Sequence, residues 1–262
     1  MIPYRMAVRK YLLGALNVED SLYIVMPAYN EQDSLEKVVN DWYKIIDEHS
    51  ADGKSKLVVV NDGSKDDTLV IGQKLMDKYP NFEIIDKSNS GHGPTVLFAY
   101  KYAIQNGADY IFQTDSDGQT NPLEFENFWN MRKKYDAIIG DRQDSRQDGK
   151  DRVFVEKVVC ILVKLIFGVD VPDANAPFRL MKTDLVKKYI DIMPQDFNIP
   201  NIVFTAAFVY FKEKVKFVKI SFEQRSAGVN SINIKKICAI GIKAVGDFIK
   251  IKKNMKKMQK ML

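Results

Sequence analysis

The sequence predicts an α/β fold, a mostly parallel sheet flanked by helices and followed by a C-terminal amphipathic helix, on three observations. Short apolar runs rich in β-branched and aromatic residues alternate with longer stretches whose apolar residues recur at helical spacing, the pattern of successive β-α units. Each of the first four runs ends in a polar loop, and in such a sheet those loops open on one edge. The chain's 262 residues, 46% of them hydrophobic, suffice to bury a full core. The expected organisation is an N-terminal segment (1–20), one α/β domain (21–231) and a basic helix (232–262).

Leu22 to Met26 is a compact strand closed by Pro27, and Ala28-Tyr29-Asn30-Glu31 leads into a helix with apolar residues at Leu35, Val38, Val39, Trp42, Ile45 and Ile46. Lys56 to Val60 repeats the unit; Asn61-Asp62-Gly63-Ser64 follows, and Asp66-Asp67-Thr68 opens a helix that stops near Tyr79-Pro80. Phe82 to Ile85 is the third strand. Its loop, Lys87 to Pro94, precedes a helix from about Thr95 to Gln105, with proline near the first turn, where a missing N–H is harmless. Tyr110 to Gln113, the fourth strand, delivers Thr114-Asp115-Ser116-Asp117-Gly118-Gln119. Ala137 to Gly140 ends in Asp141-Arg142, and Gln143 to Arg152 reads as a mobile surface loop. Val153 to Phe167 and Asn198 to Phe211 read as apolar helices, with a strand at Arg179 to Lys182 and a short helix from Asp184 between them. Val215 to Phe222 alternates as a strand. From Ile232 one long helix aligns Ile234, Ile237, Cys238, Val245, Phe248, Ile249, Met255 and Met258.

Composition narrows the function. The net charge of +5 is uneven: nine lysines and one aspartate from Ile232 onward carry +8, which leaves −3 on the preceding 231 residues. A nucleic-acid module usually has a basic working face, so nucleic acid is disfavoured as a partner. Cys160 and Cys238 lack metal-ligand spacing and read as buried or interface thiols of a reducing, cytoplasmic compartment. No secretory signal is expected in the first residues. The longest apolar run, Ile202 to Phe211, falls short of the roughly 18 residues that cross a bilayer. A lysine-rich helix with Ile, Phe and Met suits either a packed stripe under a solvated face or the surface of an anionic membrane, and the latter predicts a peripheral enzyme on the cytoplasmic face. Homo-oligomer packing would use the same apolar surfaces.

The two carboxylates of Asp115-Ser116-Asp117 leave a strand at its carboxyl end, separated by one small residue. Both can face a single hard cation, Mg²⁺ or Mn²⁺, whose remaining ligands come from water and substrate phosphates. The same triplet is also ordinary turn chemistry, as is Asp62-Gly63. Asp66 reads equally as a helix N-cap, and Arg142 in isolation as a solvated residue. His92, between two glycines, reads as a loop residue that lets the chain pass close to a ligand.

Three ordered motifs, Val25-Met26-Pro27-Ala28-Tyr29-Asn30-Glu31, Val60-Asn61-Asp62-Gly63-Ser64-Lys65-Asp66-Asp67-Thr68 and Thr114 to Gln119, resemble the family 2 glycosyltransferases of the GT-A, Rossmann-like fold. The chain looks most like their dolichyl-phosphate mannose synthase and polyprenyl-phosphate branch, over about residues 20 to 230. The resemblance implies that Pro27, Tyr29, Glu31 and Ser116 line a nucleotide-sugar pocket and that Asp62 hydrogen-bonds the base. Asp115 and Asp117 would bind the cation with support from Gln119, and Arg142 and Arg225 would contact phosphates. Asp173, in an Asp173-x-x-x-Pro177-Phe178-Arg179 arrangement similar to the family's Asp-x-x-x-Gly-Phe-Arg, is placed near the acceptor; with Asp117 it is the catalytic candidate.

Where many sugar-acceptor members carry an acidic pair as general base, this chain has Phe197-Asn198-Ile199-Pro200-Asn201, and Asn230 departs from the family's serine. A phosphate monoester is already ionised near neutrality, its second pKa being about 6, and attacks without a base. The expectation is therefore inverting transfer from a UDP- or GDP-sugar to a polyprenyl phosphate. Alternatives are transfer to a saccharide hydroxyl and a non-catalytic membrane-binding role. A sugar-phosphate nucleotidyltransferase is disfavoured, because Pro27-Ala28-Tyr29-Asn30-Glu31 is not the glycine-rich basic loop such enzymes carry.

Overall fold

A computed structural model describes residues 20–50, 53–142, 150–223 and 234–260, with backbone alone at 150–154 and 234–244. The N-terminal segment before residue 20, residues 143–149 of the expected loop, Arg225, Asn230 and the Cys238 side chain lie outside the described residues. The first half alternates strictly: β1 (Leu22–Ala28), α1 (Leu35–His49), β2 (Lys56–Asp62), α2 (Thr68–Lys78), β3 (Phe82–Lys87), α3 (His92–Gln105) and β4 (Tyr110–Gln113). Then come α4 (Phe125–Met131), β5 (Ala137–Asp141), α5 (Lys150–Phe167), β6 (Arg179–Lys182), α6 (Thr183–Tyr189), α7 (Pro200–Tyr210), β7 (Val215–Lys219) and α8 (Ile234–Gln259). Every helix and strand expected from the apolar spacing is present. Boundaries moved by up to three residues: α5 starts at Lys150 within the expected loop, α3 starts at His92 rather than Thr95, and β7 stops at Lys219 rather than Phe222.

Seven strands form one sheet in the order β3-β2-β1-β4-β6-β5-β7. All pairings are parallel except those of β6, which runs antiparallel to both β4 and β5. The sheet is thus mostly parallel, with one reversed strand. The chain order reverses direction between β1 and β4, so the loops at their carboxyl ends diverge and leave a crevice, where open α/β sheets bind ligands. Because β6 is reversed, its first residue, Arg179, pairs with the last residue of β4, Gln113. The segment from Asp173 to Phe178 therefore arrives at the same edge.

Successive side chains in a strand face opposite ways. Tyr23 and Val25 of β1 enter a core with α3, α5, α6, α7 and α8, whereas Leu22, Ile24 and Met26 enter a second core under α1, α2 and α4. The second core centres on aromatic rings: Trp42 lies 5.3 Å from Phe112 and 5.9 Å from Phe178 between centroids. Both faces are covered, so the crevice edge is where these strands present functional groups.

Candidate functional site

The four loops predicted to converge do so. Tyr29, Asn30 and Glu31 after β1, Asp62 ending β2, Asn89, Gly91 and His92 after β3, and Asp115, Ser116 and Asp117 after β4 line one cleft of about 740 Å³. Pro27 forms part of the same wall. Short hydrogen bonds tie the loops together. Asn30 adopts a left-handed conformation (φ 55°), which asparagine tolerates, and its amide donates to Ser64 Oγ at 2.9 Å while its Oδ1 accepts from the Lys65 amide at 2.8 Å. Ser116 Oγ donates to the Pro27 carbonyl at 2.8 Å, and Ser34 Oγ lies 2.7 Å from Glu31 Oε2 and 3.2 Å from the Ser116 carbonyl. The acidic loop is thereby fastened to the β1 loop before any ligand arrives. Tyr29 is 43% exposed at the rim, a ring free to stack on a flat ligand.

Asp62 is buried and accepts from Lys87 Nζ at 2.5 Å, the Ser90 amide at 2.8 Å and the Gly91 amide at 2.8 Å. Burial alone would raise its pKa; the bonds from Lys87, Ser90, Thr95 and Gly91 outweigh it and hold the carboxyl below the usual carboxylate range. The structure thus gives Asp62 an organising role for the β3 loop beside its place in the cleft. Asp66 resolves as a structural residue: its Oδ1 accepts from the Thr68 amide at 3.1 Å and its Oδ2 from the Gln32 amide at 3.2 Å.

Asp115 Oδ1 is buried and has no hydrogen-bond partner. An acceptor-only oxygen left so is costly, and a hard cation between Asp115 and Asp117 would relieve it. The residues present therefore fit Mg²⁺ or Mn²⁺. The grouping of Glu48, His49 and Glu126 lies instead at the opposite edge of the sheet, where the His49 carbonyl accepts from Ser55 just before β2, and a 2.5 Å His49–Glu126 hydrogen bond accounts for it.

Gln119, Arg142 and Asp173 are buried and are not among the residues that line the cleft. Gln119 is buried, and its Nε2 donates to the Glu223 carbonyl at 2.8 Å, so its amide braces the loop against the segment after β7. Arg142, 5% exposed, is not the solvated residue its isolated sequence context suggests: Nε donates to Asp173 Oδ2 at 2.7 Å and Nη2 to Asp173 Oδ1 at 2.9 Å. Glu156 of α5 lies 3.8 Å from the same guanidinium, and Phe222 packs under it. Burial would lower the Arg142 pKa, but Asp173 and Glu156 raise it. Asp173 also accepts from the Arg142 amide at 3.2 Å and the Asn175 amide at 3.1 Å, so both of its oxygens are engaged. Sequence reading missed Lys87, Ser34 and Glu156; Glu156 reads as a polar interruption of an apolar helix, the one available signal.

Residues 23–190 match the family model described as Glycosyl transferase family 2. The chain belongs to that family. Among curated relatives it is 26% identical over 187 residues to a UDP-N-acetylglucosamine--dolichyl-phosphate N-acetylglucosaminyltransferase of Methanococcus voltae, covering 63% of this chain and 71% of that protein. It is 24% identical to an undecaprenyl-phosphate 4-deoxy-4-formamido-L-arabinose transferase of Pseudomonas syringae, covering 68% of this chain and 52% of the relative. The chain thus spans about half the length of some relatives. A glucosyl-3-phosphoglycerate synthase from Mycobacterium tuberculosis, solved with Mn²⁺, UDP-glucose and phosphoglyceric acid, superposes with a TM-score of 0.66 at 14% identity over 89% of this chain and 80% of its own. That likeness establishes the GT-A-type fold.

Proposed function

We propose that this glycosyltransferase moves a sugar from a UDP- or GDP-linked donor to a polyprenyl phosphate in a single inverting displacement. The carrying observation is the cleft itself: a partnerless buried carboxylate oxygen on Asp115, Asp117 beside it and an exposed Tyr29 at the rim. Asp115 and Asp117 would hold Mg²⁺ or Mn²⁺, which neutralises charge on the departing nucleoside diphosphate. Tyr29 and Asp62 would orient the nucleotide, with Pro27, Glu31 and Ser116 shaping the pocket. Arg142, pre-positioned by Asp173, and Arg225 are proposed for the phosphates.

The acceptor reading rests on the segment without a base. A Cβ on Gly93 would fall 2.2 Å from the Phe197 carbonyl oxygen, and one on Gly91 3.8 Å from Asn198 Oδ1, so Phe197 and Asn198 abut the cleft wall. An amide, not a carboxylate, stands there, which suits an acceptor that arrives already ionised. The relatives named for dolichyl and undecaprenyl phosphate support the same choice.

A lipid acceptor requires a membrane, and no helix of the described residues is long and apolar enough to cross one. Peripheral docking on anionic lipid at the cytoplasmic face is the proposed solution. On α5, Val158, Ile161 and Leu165 are 38%, 56% and 75% exposed at i, i+3 and i+7, a single ridge flanked by exposed Lys157 and Lys164. The test is mass spectrometry of products from UDP- and GDP-sugars offered with undecaprenyl phosphate or with free saccharides. Glycosylated lipid phosphate is expected; product on saccharide hydroxyls alone would contradict the acceptor assignment.

A further inference from the structure

Two buried arginines, Arg142 just after β5 and Arg179 at the start of β6, are balanced differently. Arg142 is matched by the carboxylates of Asp173 and Glu156. Arg179 is 0% exposed, and its guanidinium donates from Nε at 2.9 Å and Nη2 at 2.6 Å to the Ala176 carbonyl and from Nη1 at 3.2 Å to the Asn201 carbonyl. Those acceptors are neutral; among the described residues no carboxylate bonds to it. A guanidinium stays protonated at any physiological pH, so this is a fixed interior charge whose balance must come from further away.

Register shows where. Arg179 of β6 pairs with Gln113 of β4, and the side chains of an opposed pair share a face of the sheet. Gln113 is itself 0% exposed: its Oε1 lies 2.9 Å from the Tyr100 hydroxyl, which also reaches Asn201 Oδ1 at 3.2 Å, while its Nε2 has no acceptor. Two residues beyond Gln113 stands Asp115 with its partnerless oxygen. A buried guanidinium on β6 with no carboxylate bonded to it is thus paired with a neutral amide on β4, and two residues beyond that amide stands a half-buried carboxylate with one buried, partnerless oxygen. Asp115 and Asp173 are among the acidic groups whose fields reach the Arg179 guanidinium.

We propose that Arg179 is a positioning residue acting through Asp115: a buried counter-charge that makes the acidic loop a poor site for a divalent cation alone and a good one for cation and diphosphate together. The proposal rests on the reading that Asp115 and Asp117 hold the metal. Charges inside the protein are weakly screened, so a cation entering next to a fixed positive charge is repelled. The diphosphate brings the negative charge that restores the balance. Metal and donor would therefore bind as a unit, and the empty enzyme would not hold a metal to no purpose.

The test measures Mn²⁺ affinity by calorimetry, without and with UDP or GDP, in the wild type, Arg179→Gln and Gln113→Glu. Arg179→Gln keeps a donor for the carbonyls and removes the charge. Gln113→Glu keeps Arg179 and the Tyr100 acceptor while placing a carboxylate opposite the guanidinium, so it provides the measurement even where Arg179→Gln folds poorly. The wild type is expected to bind Mn²⁺ at least tenfold more tightly with nucleotide than without. Both variants should tighten nucleotide-free Mn²⁺ binding about tenfold and shrink that coupling, an effect that a purely packing role would not produce. Folded variants whose nucleotide-free Mn²⁺ affinity stays within twofold of wild type would overturn the proposal. A wild type that shows no metal-dependent nucleotide binding would instead remove the underlying metal-site reading.

Discussion

Asp115 is where the chain forgoes stability for a site. Its buried Oδ1 accepts nothing in the folded protein, and relieving such a carboxylate commonly stabilises a fold while abolishing function. Asp115→Asn is expected to leave the melting temperature unchanged or raised, and to lower metal-dependent nucleotide affinity at least tenfold; scanning calorimetry and titration calorimetry check the two halves. A lowered melting temperature with normal binding would make Asp115 a structural residue. Asp62 behaves in the opposite sense. Its folded-state pKa lies below the unfolded value of about 3.9, so its bonds contribute stability that is complete above that value and lost as pH falls through the depressed folded value. Acid unfolding followed by circular dichroism should show Asp62→Asn less stable at neutral pH, with the gap from wild type closing below about pH 4. Cys160, whose thiol burial and the nearby Glu156 push up to about 12, should resist alkylation at pH 8 in the native protein and react once unfolded.

At the scale of elements, α3 shows what sequence patterns convey and what they hide. Ser-Gly-His-Gly-Pro reads as loop because glycines usually break helices, yet α3 begins at His92 and Pro94 falls within its first turn. Gly93 is there for contact: a Cβ would sit 2.2 Å from the Phe197 oxygen and 2.4 Å from the Asn198 carbonyl carbon. That neighbour lies about a hundred residues away in sequence, so no local pattern announces it. Gly93→Ala should cost about 1–3 kcal/mol by forcing the backbones apart, measured by denaturant unfolding. The strands and helices of the first half were legible because period-two and period-3.6 patterns are local. The reversal of β6 was not, since pairing direction is a property of the whole sheet. The loops' convergence followed from topology, whereas the Arg142–Asp173 pair and the Lys87 contact to Asp62 join segments 31 and 25 residues apart and leave no local pattern. In α8, Phe248, Ile251 and Met255 are buried and Ile249 is 47% exposed, so the apolar face is turned from its expected line to include Ile251.

For the whole molecule, that orientation of α8 bears on the proposed membrane docking. Its described apolar stripe packs on Phe167 and Phe197, at 5.4 and 6.2 Å between ring centroids with Phe248, and so is spent on the core. Removing residues 250–262 would take Ile251 and Met255 out of the core and should destabilise the domain. The sharper change is Ile161→Glu with Leu165→Glu on the exposed α5 ridge, expected to abolish sedimentation with anionic vesicles while leaving nucleotide affinity within twofold. Unchanged sedimentation would remove the ridge from the membrane surface. These readings all depend on the cleft's being a metal-dependent cradle for a nucleoside diphosphate. Titration calorimetry of UDP and GDP, with and without Mn²⁺, against wild type and Asp115→Asn/Asp117→Asn tests that directly. Micromolar binding that requires the metal and disappears in the double variant is the expected result; nucleotide binding indifferent to both metal and substitution would contradict it.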